Sequence, residues 1–192
     1  RKLGLRGRAA GKTGGADTDG APMRAGHVDF SDREQVSSTL AKWQRDLDLL
    51  DHEEDVSITT DGTVWHTVGG KRRVHPENIQ LQQGVSLQGS YSYHNHPPKE
   101  TYYSFSADDV DFFFRFGVQY QQASDDVYEY SIERTPDTIV PGNAAAEFDS
   151  LLRQIGFENE GPGFDVDVEG YDLVMQRLAK KYKFRYIRHR KE

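Results

Sequence analysis

A change of hydrophobic period near residue 51 constrains this chain more than any other feature. Val36, Leu40, Trp43, Leu47 and Leu50 recur at steps of four, three, four and three, which puts them on one stripe of an amphipathic helix. Directly afterwards Val56 and Ile58 alternate with polar residues, Asp61-Gly62 supplies a hairpin turn, and residues 64–68 read as the return strand. Ser31-Asp32-Arg33-Glu34 fits a capping box for the helix, which is expected to end around Leu50 to Asp51. A helix running straight into paired strands predicts an α/β fold, a mixed β-sheet flanked by α-helices.

The later segments extend this pattern. His75-Pro76 starts a loop or short helical turn ending at Gly84, and residues 85–93 read as a strand running into His94-Asn95-His96-Pro97. Ser106 opens a helix rich in phenylalanine that Gly117 stops. Residues 118–122 and 127–134 form a predicted hairpin. Beyond Thr135-Pro136, the pattern predicts a helix from Ala144 to about Ile155, then an alternating Phe164, Val166, Val168. A last helix carries Tyr171, Val174, Leu178 and Tyr182 on one face. The predicted domains are a basic Gly-rich linker over 1–28, a core over 29–135, and a C-terminal α/β extension over 136–192 packed on that core.

Composition excludes several classes. The 192 residues hold no cysteine, which removes disulfide scaffolds, thiolate metal ligands and cysteine nucleophiles together. Acidic residues outnumber basic ones, 31 to 24, which argues against a surface built to neutralise phosphate throughout. Ten Tyr, ten Phe and two Trp can fill a core where aliphatics are sparse. No apolar run approaches the roughly 20 residues that cross a bilayer, and the basic start leads into glycine rather than a signal-peptide core. The opening Arg reads as a fragment of a longer chain.

Chemistry concentrates at His94-x-His96 and Ser106-x-x-Asp109. Residues i and i+2 of a strand share a face, so the two imidazoles can converge, and Asp109 falls in the first turn of the next helix. Two His nitrogens and one carboxylate leave a fourth tetrahedral position open, the ligand set of a catalytic zinc site. Zinc there would acidify a water molecule towards a pKa of ~7, and a separate carboxylate must then accept and return the proton. Glu53 and Glu54 are the candidates. Strand parity puts Glu54 on the face of Val56 and Ile58 and Glu53 on the other, without saying which face sees the site. Ser106-x-x-Asp109 is also an ordinary helix cap. His52, beside the acid pair, reads as a support behind the metal residues or as a helix-end residue, and His27, His66, His75 and His189 as surface or loop residues.

At these residues the chain resembles the JAMM (MPN/JAB) metallopeptidase family, whose signature is an upstream Glu, H-x-H, a spacer and S-x-x-D. The HNHP and the helix-capping serine look like the RadC-type and phage-associated branches, and the region is similar to domains at the C-terminal end of phage minor head (MuF-like) proteins. The resemblance spans about residues 30–135. It implies His94, His96 and Asp109 as Zn2+ ligands, Glu53 or Glu54 as general base, and Ser106 as support for the tetrahedral oxyanion. The implied activity is zinc-dependent hydrolysis of peptide or isopeptide amides. The spacer from His96 to Ser106 holds nine residues where the common pattern has seven, an extension a loop absorbs at a cost of tenths of a kcal/mol. Ser104 is the other serine in reach, but Ser104 plus three is Ala107, which cannot bind metal.

The implied partner is a peptide or protein substrate, the upstream part of the parent chain being one candidate, with no membrane. The expected location is the cytoplasm, or the virion for a head-protein domain. The alternatives are a non-catalytic or toxin module of a phage head protein, and a metal-dependent nuclease. For the nuclease, the seven Lys/Arg of residues 180–191, interleaved with aromatics, would be the nucleic-acid contact; the same run also reads as an edge strand protected by charge. Tyr91, Tyr93, Tyr102, Tyr103 and Phe105 read equally as a peptide groove or as core packing.

Overall fold

The structure, a computed structural model, describes residues 20–98, 103–159 and 163–192. In chain order the elements are β1 (Met23–His27), α1 (Arg33–Leu47), β2 (Glu54–Ile58), β3 (Thr63–Val68), α2 (Asn78–Gln83), β4 (Tyr91–Asn95), α3 (Ala107–Arg115), β5 (Tyr120–Ser124), β6 (Tyr128–Glu133), α4 (Ala144–Glu158), a π-helical turn (Val166–Gly170), α5 (Tyr171–Tyr182) and β7 (Arg185–Arg190). Among the described residues the strands form one seven-stranded mixed sheet in the order β1-β3-β2-β4-β5-β6-β7. Only β4 and β5 pair in parallel, joined by a crossover that contains α3; the other neighbours are antiparallel. The fold is α/β, as the change of period predicts.

Each face of the sheet has its own core. On one face α1 lays Val36, Leu40 and Leu47 over Val56, Ile58, Val64 and Tyr93. On the other, Phe112, Phe113 and Phe114 of α3 join Phe148 and Ile155 of α4, Val174 and Leu178 of α5, and Tyr130 and Ile132 of β6. The C-terminal extension therefore shares one core with α3 and adds β7 to the same sheet. Truncating such a fully buried side chain, Leu40→Ala for example, costs about 2–5 kcal/mol.

Several local expectations need correction. The linker assigned to residues 1–28 contains β1, which pairs antiparallel with β3 through a bulge near Arg24 and Gly26; residues 1–19 lie outside the described residues. The cap of α1 is Asp32, whose side chain accepts from the backbone of Glu34 and Gln35, while Ser31 bonds Asp29; the helix stops at Leu47, short of Leu50. The strand expected over 85–93 begins only at Tyr91, because Gly89 takes a positive φ of 76° and the chain turns there. The alternating Phe164, Val166 and Val168 lead into the π-helical turn, which is capped by Asp165. The basic C-terminal run divides: Lys180 and Lys181 end α5, Lys183 caps it, and residues 185–190 form the edge strand β7, where Arg185 meets Glu133 and Arg188 meets Asp172, with Lys191 just beyond it on Asp48 and His189 hydrogen-bonded to Glu129. No helix among the described residues is long and apolar enough to cross a membrane.

Candidate metal centre

Strand alternation orients His94. Tyr93 points to the α1 face, where its hydroxyl donates to Asp48, so His94 points to the opposite face, under α3. His96 lies one residue past β4, but its N–H still donates to Ser124 O at 2.8 Å. That bond prolongs the β4–β5 ladder and keeps His96 on the face of His94. Between them, Asn95 looks the other way, accepting from Glu54 N at 2.8 Å and donating to His52 O at 2.8 Å. Asn95 thus ties the start of β2 to the end of β4, which sets the position of Glu53.

Helix capping orients Asp109. Ser106 is the N-cap of α3 and Asp109 its N3 residue, and the reciprocal capping box forms. Asp109 Oδ2 accepts from Ser106 N and from Ser106 Oγ, each at 2.7 Å. This locks the carboxylate against the helix end and leaves Oδ1 toward His94.

The three side chains converge as the sequence predicts. His94 Nε2 lies 3.0 Å from His96 Nε2 and 3.2 Å from Asp109 Oδ1; His96 Nε2 is 3.7 Å from Asp109 Oδ2. These atoms form a group that could hold a metal ion. Donors bound tetrahedrally at the Zn–N distance of 2.0–2.1 Å stand about 3.3 Å apart, so the spacing and the N/N/O donor set fit a small divalent cation. Two imidazole Nε2 atoms facing each other cannot both carry protons: either one proton lies between them, as from a protonated His94, or a cation accepts both lone pairs.

The charges are strongly coupled. Burial alone would lower the pKa of His94, but the adjacent Asp109 carboxylate, with Glu53 and Asp55 behind it, raises it. Asp109 moves the opposite way: burial opposes its ionisation, yet the charge of His94 and the hydrogen bonds from His94 and Ser106 hold its pKa far below the ordinary carboxylate range. His96, buried beside a cationic His94, is pushed down to about 4.

The two glutamates part company. Glu53 lines a cleft of about 580 Å3 together with His94, His96, Ser106 and Asp109. Burial raises its pKa to about 7, against the opposing pull of His94. Glu54, on the Val56 face as parity requires, is closed off by two histidines: His52 Nε2 at 2.7 Å and His66 Nε2 at 2.5 Å. It does not line the cleft. Of the pair left open in the sequence, Glu53 is the one brought to the centre.

Other expectations resolve similarly. His52 is a partner of Glu54 rather than a neighbour of His94, His96 and Asp109. His66 is no surface residue but packs on Trp43, whereas His75 lines the cleft and bonds Glu77 at 2.7 Å. Ser104 is buried and bonds Tyr186, away from the cleft. Tyr93 and Phe105 are fully buried core residues, Tyr91 packs at a tilt on Tyr120 and Tyr103 meets Tyr128 edge to face; these four do not wall the cleft, and Tyr102 lies outside the described residues.

Sequence reasoning missed two supports of the centre. Asp55 pairs with His94 across β2 and β4 and is fully buried; Ser57 Oγ donates to its Oδ1 at 2.7 Å, Oδ2 has no hydrogen-bond partner, and burial lifts its pKa to about 7. Its parity with Glu53 was the available signal. Tyr130 on β6 bonds His96 Nδ1, a contact across three strands that no local pattern encodes. Comparison with protein-family models, curated proteins and solved structures returns no match.

Proposed function

We propose that the cleft is the active site of a zinc-dependent amide hydrolase of JAMM type, acting on peptide or isopeptide bonds. The observation that carries this reading is that the Glu53 carboxyl shares one cleft with the His94, His96 and Asp109 donors, where burial raises its pKa. Zinc, when bound, would supply Lewis acidity to the scissile carbonyl and to the attacking water. His94, His96 and Asp109 hold it, and Ser106 keeps Asp109 in register through the capping box.

Glu53 then serves as general base and acid. A carboxyl with a pKa near the working pH can take a proton from water as the C–O bond forms and return it to the leaving nitrogen as the C–N bond breaks. Such a group typically contributes about 10²–10⁴-fold. Ser106 Oγ is committed to Asp109 in the resting protein, so oxyanion support would require its proton to turn toward the substrate.

The test is hydrolysis of a peptide and isopeptide library by the zinc-loaded chain, with Glu53→Gln and chelator-treated protein alongside. Cleavage lost in both controls supports the proposal. Stoichiometric zinc with no amide cleavage contradicts it, and metal-dependent nicking of plasmid DNA would favour the nuclease reading instead.

A further inference from the structure

Asp109, Phe112 and Phe116 follow one another along α3 at steps of three and four, which puts them on one stripe. Phe116 lies one residue past the end of the helix but still donates its N–H to Phe112 O at 3.1 Å, so the stripe reaches it. All three line the cleft. At 1.5 Å per residue, Phe112 lies about 4.5 Å beyond Asp109 along the helix axis and Phe116 about 10.5 Å. The helix is a ruler laid out from the group of donors, with an aromatic ring at two of its marks.

The rest of the lining narrows what can select a substrate here. Arg73 pairs with Asp108 at 2.8 Å, Arg115 with Asp111 at 3.8 Å and His75 with Glu77 at 2.7 Å. Opposed charges at such short range leave little net field to favour a side chain of either sign. Asp167 reaches the cleft from the π-helical turn and is exposed, where water and salt screen its charge. Apolar surface remains: Phe112 and Phe116, with ring centroids 5.6 Å apart, and Val74 and Pro76 from the segment before α2. Phe112 is 6% exposed and forms a floor, whereas Phe116 is half-buried and forms a wall. An apolar side chain seated there gains by leaving water.

We propose that Phe112 and Phe116 form paired subsites for an extended peptide that carries apolar side chains at two positions separated by one residue. An extended chain rises about 3.3 Å per residue and presents the same face every second residue, about 6.6 Å on. That repeat is close to the 5.6 Å between the two rings. Measured from Asp109, the rings stand about one and three residue lengths away. Phe112 therefore serves the residue next to the scissile bond, and Phe116 the residue two places further out on the same side. The subsites rest on the reading of the cleft as a peptide-hydrolysing site, but the binding they produce does not require turnover.

Fluorescence anisotropy of labelled, blocked peptides on the zinc-loaded Glu53→Gln chain reads binding apart from turnover, and mass spectrometry of the same peptides with the wild-type chain locates cleavage. The parent peptide carries Leu at i and i+2 in an Ala/Ser background. Replacing both by Ala should weaken binding by about 10-fold or more; moving the second Leu to i+1, or placing Lys or Glu at i+2, should also weaken it. Cleavage of the parent should fall beside the inner Leu. Adding Phe116→Ala should erase the preference at i+2 while leaving zinc uptake and the binding of the Ala-substituted peptide unchanged, and Phe116→Leu, which keeps an apolar wall, should restore it. Equal binding of all the peptides, a preference for Lys or Glu, or a Phe116→Ala chain weakened equally toward every peptide overturns the proposal. The paired preference without any cleavage defeats the hydrolase reading and leaves the subsites standing; cleavage without the preference does the reverse.

Discussion

Strand β2 carries a histidine–carboxylate cluster on each of its faces, and the two differ in one respect. On the α1 side, Glu54 has each carboxylate oxygen taken by a histidine, His52 and His66, and the assembly is closed. On the α3 side, His94, His96 and Asp109 turn donor atoms toward one another, and Glu53 stands in the adjoining cleft. The same residue types at neighbouring positions thus give a bridge in one case and, in the other, a group of three donors that could hold a metal ion. What separates them is outer support. Ser106 occupies one oxygen of Asp109, Tyr130 occupies Nδ1 of His96, and the inner atoms of His94, His96 and Asp109 face one another.

The largest effects should come from the open cluster. His94→Ala is expected to abolish zinc binding and, with it, hydrolysis, measured by metal analysis of the dialysed protein and by peptide cleavage. Asp109→Asn, which keeps most of the helix cap, should do the same; retention of stoichiometric zinc in either variant would contradict the assignment. Next, Glu53→Gln should retain zinc but lose about 10²–10⁴-fold in turnover. The matched change on the closed face, Glu54→Gln, should leave turnover within about threefold while destabilising the fold by about 1–3 kcal/mol, since two histidines lose their charged acceptor. Chemical denaturation of the two variants side by side reads this contrast directly.

These outcomes bear on how much of the centre is legible in sequence. His94, His96 and Asp109 are fixed by local rules, strand alternation and helix capping, which act over a few residues and survive ignorance of the fold. Glu53 versus Glu54 is not local: parity separates their faces, but only the packing of α1 on one side and α3 on the other says which face meets the ligands. Asp55 follows the same logic. Tyr130 depends on the β4-β5-β6 order, a long-range pairing. The strand β1 escaped notice because MRAGH shows no apolar alternation; all five residues are exposed, and β3 supplies the pairing. Gly89 hid the start of β4 because a glycine within an alternating run does not announce its positive φ.

A pH series sharpens the comparison further. Glu53 and Asp55 have pKa values raised from 4.5 and 3.8 to about 7. Between about pH 4 and 7 these two carboxyls keep protons in the folded metal-free protein that the unfolded chain has lost, while His96, pushed down to about 4, holds one fewer; the two carboxyls outweigh the one histidine, so these groups lower stability as pH rises through that window. His94, also raised, extends the loss above pH 7 as its ion pair with Asp109 discharges. Thermal unfolding in chelator should therefore show a higher midpoint at pH 5 than at pH 9. Zinc should reverse that order, because coordination requires deprotonated imidazoles. An equal midpoint at both pH values, with and without zinc, would contradict the coupled cluster.

The smallest effect belongs to the far edge. Arg185 pairs with Glu133 at 2.8 Å on β7, with the arginine largely exposed. Arg185→Ala should move the melting midpoint by less than about 4 °C and leave zinc uptake and cleavage unchanged. A larger fall in either activity would mean that the edge strand communicates with the cleft.

The most direct test of the central claim is anomalous diffraction at the zinc absorption edge from crystals of the wild-type chain soaked in zinc. One peak is predicted, about 2 Å from His94 Nε2, His96 Nε2 and an Asp109 carboxylate oxygen, with none at the Glu54 bridge. A peak at the bridge alone, or none at either cluster, would contradict it.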